Sequence, residues 1–305
     1  MRYFDLHADT IGKIEKYGEN LRNSPRMVSL DKAACIDEYI QVFAVFIPDA
    51  LRGEAAVSYF DRVFRYYKRE MAANGDIISS YSDKRNTKIK SILAVESGAA
   101  LNGSIDGFFR LREKGVKILT LTWNGENELG SGAYSEPGNG LAPFGIEAVK
   151  KCEELDIVVD VSHLSVKGFY DVARVAEKPF IASHSGCDIA GTPESSRRNL
   201  SDGQIKCLIK AGGLMGLTFH KPFLGTAGDT GRPAVLRHIN RVLELGGEDI
   251  LAIGSDFDGG DTDEELKDIS KIGGLYEYLN NAGLNETILN KIFYKNPENF
   301  FKRKV

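Results

Sequence analysis

Two periodicities alternate along this 305-residue chain. Short, nearly continuous apolar runs are followed by longer stretches in which apolar residues recur every three to four positions. The short runs predict strands near 3–7, 39–47, 89–95, 117–122, 157–162, 179–183, 214–219 and 250–255. Several are apolar throughout, as expected when protein covers both faces. The longer stretches predict helices, most clearly over 54–74, 143–155, 164–176, 202–211, 232–245, 263–281 and 285–301. The punctuation agrees. Pro143 sits just inside a helix start, where its missing N–H costs little. Ser201-Asp202 offers side-chain oxygens to another start. Gly115, Gly212-Gly213 and Gly246-Gly247 fall where helices should stop. Strands interleaved with helices favour a parallel sheet. Eight of them predict an α/β fold, a (β/α)8 TIM-like barrel occupying 1–305 as a single domain, for which this length is ordinary.

Five of the apolar runs end on residues able to bind a metal. They are MRYFDLHADT with His7 and Asp9, SILAVESG with Glu96, IVVDVSHLS with His163, PFIASHSG with His184 and ILAIGSDFDGG with Asp256. Positions i and i+2 of an extended strand share a side, so His7 and Asp9 can point together into a barrel mouth. A carboxylate at the end of a buried run, such as Glu96, must be paired, solvated or metal-bound. Each residue alone reads equally well as a satisfied core group. Several strands delivering His, His-x-Asp, Glu and Asp at their carboxyl ends point jointly to a divalent metal such as zinc, placed where barrel enzymes keep their chemistry. His220 ends the seventh strand in GLTFHKPF and is a candidate for the pocket wall, whereas His238 lies within a helix pattern and reads as structural or exposed.

Charge narrows the partners. A formal charge of −4 without a basic block argues against a nucleic-acid surface. No apolar stretch is long enough for a bilayer, and a strand begins at once at Tyr3 without a signal-peptide layout, so the expected location is cytoplasmic with no membrane partner. Cys35, Cys152, Cys187 and Cys207 show no CxxC spacing and read as reduced, mostly buried thiols.

The blocks DLHADT, AVES, LTLTW, SEPGNGLAPFG, VDVSHLS, ASHS, SSRRNLSD and GSDFDG, in this order and spacing, resemble the membrane (renal) dipeptidases, binuclear zinc peptidases of the amidohydrolase-like barrels. The resemblance runs over nearly the whole chain. It implies a zinc-dependent dipeptidase that hydrolyses small dipeptides by a metal-bridging hydroxide. It implies two divalent ions, zinc by family habit: His7 and Asp9 on one, His163 and His184 on the other, and Glu96 bridging both. It implies that Asp256 shuttles the proton and that Arg198, the second Arg of Ser196-Arg197-Arg198-Asn199, grips the substrate carboxylate. One position departs from the pattern: Trp123 stands where family members carry a histidine that approaches the substrate carbonyl oxygen. Tryptophan donates one N–H but cannot relay a proton, which makes Trp123 a substrate-contact candidate of altered function. The C-terminal stretch shows no lipid-anchor signal of the membrane-bound members. A homodimer is left open. Two alternatives stand beside this reading: a PHP-type metal-dependent phosphoesterase, which also opens on Asp-Leu-His but draws on more histidines than the five present, and a noncatalytic, metal-stabilised binding protein.

Overall fold

A computed structural model describes residues 1–78, 87–135 and 139–302. Glu136, Pro137 and Gly138 of the SEPGNG block lie outside the described residues. Eight parallel strands close a barrel: β1 (Arg2–Ala8), β2 (Glu38–Phe46), β3 (Ile89–Glu96), β4 (Val116–Thr120), β5 (Val158–Asp160), β6 (Ile181–Ser185), β7 (Leu214–Leu217) and β8 (Leu251–Ile253). Each pairs with its sequence neighbours, and β1 pairs with β8 to complete the circle. Two features lie beside this pattern. A two-residue strand, Ile77–Ile78, adds to β3, and Glu126–Asn127 with Gly130–Ser131 form a small hairpin after β4.

All eight expected strands are present, but the last five are shorter or displaced. β6 starts at Ile181, two residues later than expected, because Pro179 has no N–H to give a ladder. The expected helix 263–281 is broken. Asp263 and Asp268 each accept a backbone N–H two residues on, each capping the start of a separate 3₁₀ turn, and only Ile272–Asn281 is α-helical. The expected 285–301 helix holds a π segment over Lys291–Lys295, just before Pro297, which cannot donate to the preceding turn. The helices over Glu54–Ala73, Pro143–Glu154, Asp202–Ala211 and Arg232–Glu244 follow the sequence pattern. Ser201 caps the third with a capping box to Gln204, and Gly212 ends it at φ +62°. The helix Thr10–Tyr17, which follows β1, has too few apolar residues to stand out in sequence.

Two apolar layers hold this shape. One fills the space between barrel and helices. The other fills the lower barrel, where Phe4, Leu6, Ile40, Val42, Ile92 and Ile118 meet Tyr294, Phe300 and Phe301 from the C-terminal segment. Phe301 stacks on Phe4 with centroids 5.5 Å apart, so the last helix plugs the lower end. Above this plug the interior turns polar. Thr120, Asp160 and Ser183 are fully buried there and bonded to one another through the Asp160 carboxylate. Two strands are offset where the polar layer begins. Asp5 pairs with Gln41 but Ala8 with Phe43, so β1 has one extra residue there. Ala182 pairs with Met215 but Ser185 with Leu217, so β6 has one as well. A bulge of this kind re-aims side chains. The two strands concerned carry His7 and His184.

Candidate metal centre and substrate cavity

His7, Asp9, Glu96, His163 and His184 converge at the C-terminal mouth of the barrel. The two carboxylate oxygens of Glu96 divide the group. Oε2 lies 3.5 Å from His7 Nε2, which in turn is 3.7 Å from Asp9 Oδ2. Oε1 lies 2.8 Å from His163 Nε2 and 3.5 Å from His184 Nε2. The two latter nitrogens are 2.8 Å apart, and the His7 and His184 rings meet at a tilt of 38° with centroids at 3.9 Å. Asp256 joins the His7 and Asp9 side, its carboxylate within 4.8 Å of theirs.

These donors point at one another rather than at donors of hydrogen bonds. His7 Nε2 and Asp9 Oδ1 are buried without a hydrogen-bond partner. Such atoms are costly to leave unsatisfied, and imidazole nitrogens and carboxylate oxygens crowded together are the donor set that divalent cations take. The residues therefore fit divalent metal.

A further layer fixes the rings. Asp160 accepts from Ser183 Oγ at 2.6 Å and from Thr120 Oγ1 at 2.6 Å, while Ser183 Oγ lies 2.8 Å from His184 Nδ1. With the Ser183 hydroxyl given to Asp160, its oxygen accepts from His184 Nδ1, which leaves Nε2 with a free lone pair. Asn124 does the same for His163, its Oδ1 sitting 2.8 Å from Nδ1. Asn124 directly follows Trp123 in the chain. Nothing in the sequence tells that it reaches a ring 39 positions away.

Backbone strain concentrates here too. His163 and Asp256 have φ of +66° and +61°, a region that residues with a Cβ seldom adopt. Such conformers cost on the order of 1–3 kcal/mol and persist only where the surroundings enforce them. The His163 carbonyl is held by Ala133 N–H at 2.7 Å, and Asp256 N–H donates to His7 O at 3.1 Å. Gly259 follows, where an added Cβ would lie 2.1 Å from Asp9 Oδ2 and 2.2 Å from Asp256 Oδ1, so this loop needs glycine to pass over the carboxylates.

Proton affinities within the group diverge. Burial works against charge on His7, yet Glu96 and Asp9 beside it raise its pKa well above the ordinary value. Burial, with Arg198 nearby, lowers His163 to about 4, and burial with His7 and His163 pushes His184 down as well. Burial and then the neighbouring carboxylates Asp9 and Glu96 lift Asp256 to about 8, against the opposing pull of His7 and Arg198.

A cavity of about 370 Å³ opens above the cluster. Asp9, Glu96, His163 and Asp256 form its floor, and Trp123, Asn124 and His220 stand in its wall. Trp123 meets Phe46 edge to face at 4.8 Å. His220 accepts from Asp261 N–H through Nδ1 at 2.9 Å and packs on Phe223. Arg198 does not line the cavity. It is 4% exposed, donates to His184 O at 3.3 Å and lies over the Phe223 ring at 5.0 Å. Its Nε has no partner, so it is a buried cation beside the cavity rather than a surface arginine. Asp258 is structural: it accepts from Thr10 Oγ1 and from Met27 N–H, tying together the loops after β8 and β1. His238 is buried and structural, with Nδ1 accepting from Cys187 N–H and Nε2 facing Leu224 O. The cysteines are free thiols, two buried, but Cys35 is exposed, against the expectation of burial.

Known proteins agree with this architecture. The family model for membrane dipeptidase (peptidase family M19) matches residues 1–302. A Klebsiella pneumoniae protein described as "Uncharacterized protein in pqqA 5'region" is 33% identical over 226 residues, 70% of this chain and 81% of that one. Among solved structures, the chain resembles the dipeptidase AC, a metallo peptidase of family M19, at TM-score 0.90 and 25% identity, covering 100% of this chain and 98% of that one. It also resembles a metallo peptidase from Rhodobacter sphaeroides liganded with a phosphinate mimic of the dipeptide L-Ala-D-Ala, at TM-score 0.90 and 23% identity, covering 100% and 99%. The match over 302 residues, on a barrel whose mouth gathers these histidines and carboxylates, shows that the chain belongs to the membrane dipeptidase family, peptidase family M19, and is a metallo-dipeptidase.

Proposed function

We propose that this metallo-dipeptidase is binuclear and hydrolyses the peptide bond of small, free-acid dipeptides. The observation that carries the reading is the division of ligands across Glu96: one oxygen faces His7, the other faces His163 and His184. His7 and Asp9 would hold one ion, His163 and His184 the second, with Glu96 shared and zinc the ion the donor set suits. Bound there, the ions supply an activated water and polarise the scissile carbonyl.

The remaining work falls to the chain itself. Asp256 stands at the cavity floor on the Asp9 side, its carboxylate within 4.8 Å of the ligand atoms of His7 and Asp9. It takes the proton of the attacking water and returns it to the leaving amine. Ser183 with Asp160, and Asn124, keep His184 and His163 in the tautomer whose Nε2 is free. Arg198 is a buried guanidinium without an anionic partner within ion-pair distance among the described residues, and the C-terminal carboxylate of a dipeptide supplies one. Phe223 lies against Arg198 and must shift for direct contact. Trp123 and His220 wall the cavity and limit the length of what enters. The phosphinate dipeptide mimic held by the Rhodobacter sphaeroides relative supports a substrate of this size.

The test is hydrolysis of L,L- and L,D-dipeptides by enzyme loaded with divalent metal, beside the same dipeptides as C-terminal amides. Free acids should be cut and amides should be poorer by on the order of 10–100-fold, the worth of a charge-assisted hydrogen bond. Enzyme that carries two ions per chain and cleaves no dipeptide would overturn the reading.

A further inference from the structure

The cavity holds a second cation that the chemistry above does not use. Lys13, in the helix Thr10–Tyr17, lines the cavity and is half-buried. No carboxylate among the described residues pairs with it. Arg26 and Arg62, by contrast, are matched to Glu19 and Glu15. Lys16 follows one turn later on the same wall, and Tyr59 faces the cavity beside them. The position of this wall is set by the floor. Lys13 N–H donates to Asp9 O at 3.3 Å, one helical turn on, so Lys13 stands at the His7 and Asp9 end of the cavity that Tyr59 also lines. Arg198 stands at the other end, bonded to the His184 carbonyl.

A dipeptide offers only one terminal carboxylate, and Arg198 takes it on the reading above, on which this inference rests. With that carboxylate at the His184 end, the N-terminal residue lies toward Asp9. Its α-amino group finds Asp9 and Asp256 there. Its side chain reaches the wall of Lys13, Lys16 and Tyr59. A partly desolvated ammonium without a counter-ion discriminates strongly between a carboxylate and an uncharged group of equal size. We propose that Lys13, reinforced by Lys16 and Tyr59, makes this enzyme selective for dipeptides whose N-terminal residue carries an acidic side chain.

Glu-Ala and Gln-Ala, as L,L and L,D forms, isolate the charge, because the two differ by one carboxylate against one amide. Metal-loaded wild type should cleave Glu-Ala with a kcat/KM on the order of 10–100-fold above Gln-Ala. Ala-Glu against Ala-Gln should show a clearly smaller ratio, because the C-terminal side chain does not reach Lys13. Lys13→Met should bring the Glu to Gln ratio to about one, Lys13→Arg should retain most of it, and Lys16→Met should lower it by less. Rising salt should shrink the wild-type ratio, which checks the charge without any variant and keeps the test alive if Lys13→Met does not fold. Equal cleavage of Glu-Ala and Gln-Ala by wild type, or a preference that survives Lys13→Met, overturns the acidic selectivity while dipeptidase activity stands. Failure to cut any dipeptide of the panel overturns the dipeptidase reading itself.

Discussion

The two sides of Glu96 are built from different chemistry. On one side stand His7, Asp9 and Asp256, one imidazole among carboxylates, with Lys13 above them. On the other stand His163 and His184, two imidazoles with the Arg198 guanidinium behind them. Without bound ions the pKa directions follow this composition: the first side raises His7 and Asp256, and the second lowers both histidines. The difference teaches how one cavity can run two tasks. The carboxylate-rich side is fit to receive protons and an amino group. The imidazole side, held neutral, is fit to keep lone pairs free and to face an anionic substrate end.

Glu96 joins the two sides, so its loss should erase the contrast and have the largest effect. Glu96→Gln keeps the volume and replaces one anionic oxygen by an amide N–H₂, a poor neighbour for a cation. Elemental analysis should show both ions weakened together, with kcat/KM lower by roughly 10³-fold or more, since metal polarisation is worth several kcal/mol. A variant that loses one ion and keeps the other at full occupancy would mean that Glu96 serves one side only.

Asp256→Asn alters the first side alone. The amide retains the shape and removes the base, and kcat should fall on the order of 10²–10⁴-fold with metal content nearly unchanged. Turnover at the wild-type level would remove Asp256 from the proton path. Loss of metal along with activity would instead make it a ligand, which its place within 4.8 Å of His7 and Asp9 makes a sharp alternative outcome.

How far this arrangement can be read from the chain depends on range. The eight strands are legible because apolar runs such as Ile92-Leu93-Ala94-Val95 need no partner to be recognised. Glu96 and Asp256 extend the inward phase of Ile92, Ala94 and of Ala252, so their direction follows from alternation. His7 and His184 do not. Phe4 and Leu6 occupy the inner phase of β1, and alternation alone would turn His7 outward. The extra residue opposite Gln41 to Phe43 reverses that, and β6 repeats the device before His184. A bulge is a property of two paired strands, and an apolar run on its own does not reveal it. Arg198 shows a second limit. Its motif marks it, but its seat behind Phe223 depends on how the segment after β7 folds over it.

Asn124 tests the second side. Asn124→Ala removes the acceptor at His163 Nδ1 and frees that ring to rotate or to change tautomer. Removing such an outer partner typically lowers metal affinity by roughly 10–100-fold. Titration with a chelator should show one of the two ions leaving earlier than in wild type, the ion on the His163 and His184 side. Asn124→Asp should restore retention, because a carboxylate accepts the same N–H. Equal loss of both ions, or none, would show that Glu96 couples the sides more tightly than Asn124 distinguishes them.

The smallest effect belongs to Trp123, which borders the second side beside His163, the two ring centroids 6.2 Å apart. Family resemblance expects a histidine here, so Trp123→His asks whether the wall still has room for that function. The ring now fills space against Phe46 at 4.8 Å. Exchanging it for imidazole removes part of that contact and leaves a gap that the half-buried wall closes only in part. We expect Tm to fall by a few degrees, the consequence of roughly 1–2 kcal/mol in a domain of this size, and kcat to move by less than about 10-fold in either direction, below the usual worth of an oxyanion donor. Thermal melting and steady-state rates on one dipeptide decide it. A variant as stable as wild type with turnover raised by on the order of 10²-fold would show that the position retains its catalytic geometry and that tryptophan only fills it. A less stable variant with little change in rate would show that the wall has been rebuilt around the indole, so that the polarising function on this side rests with what His163 and His184 hold.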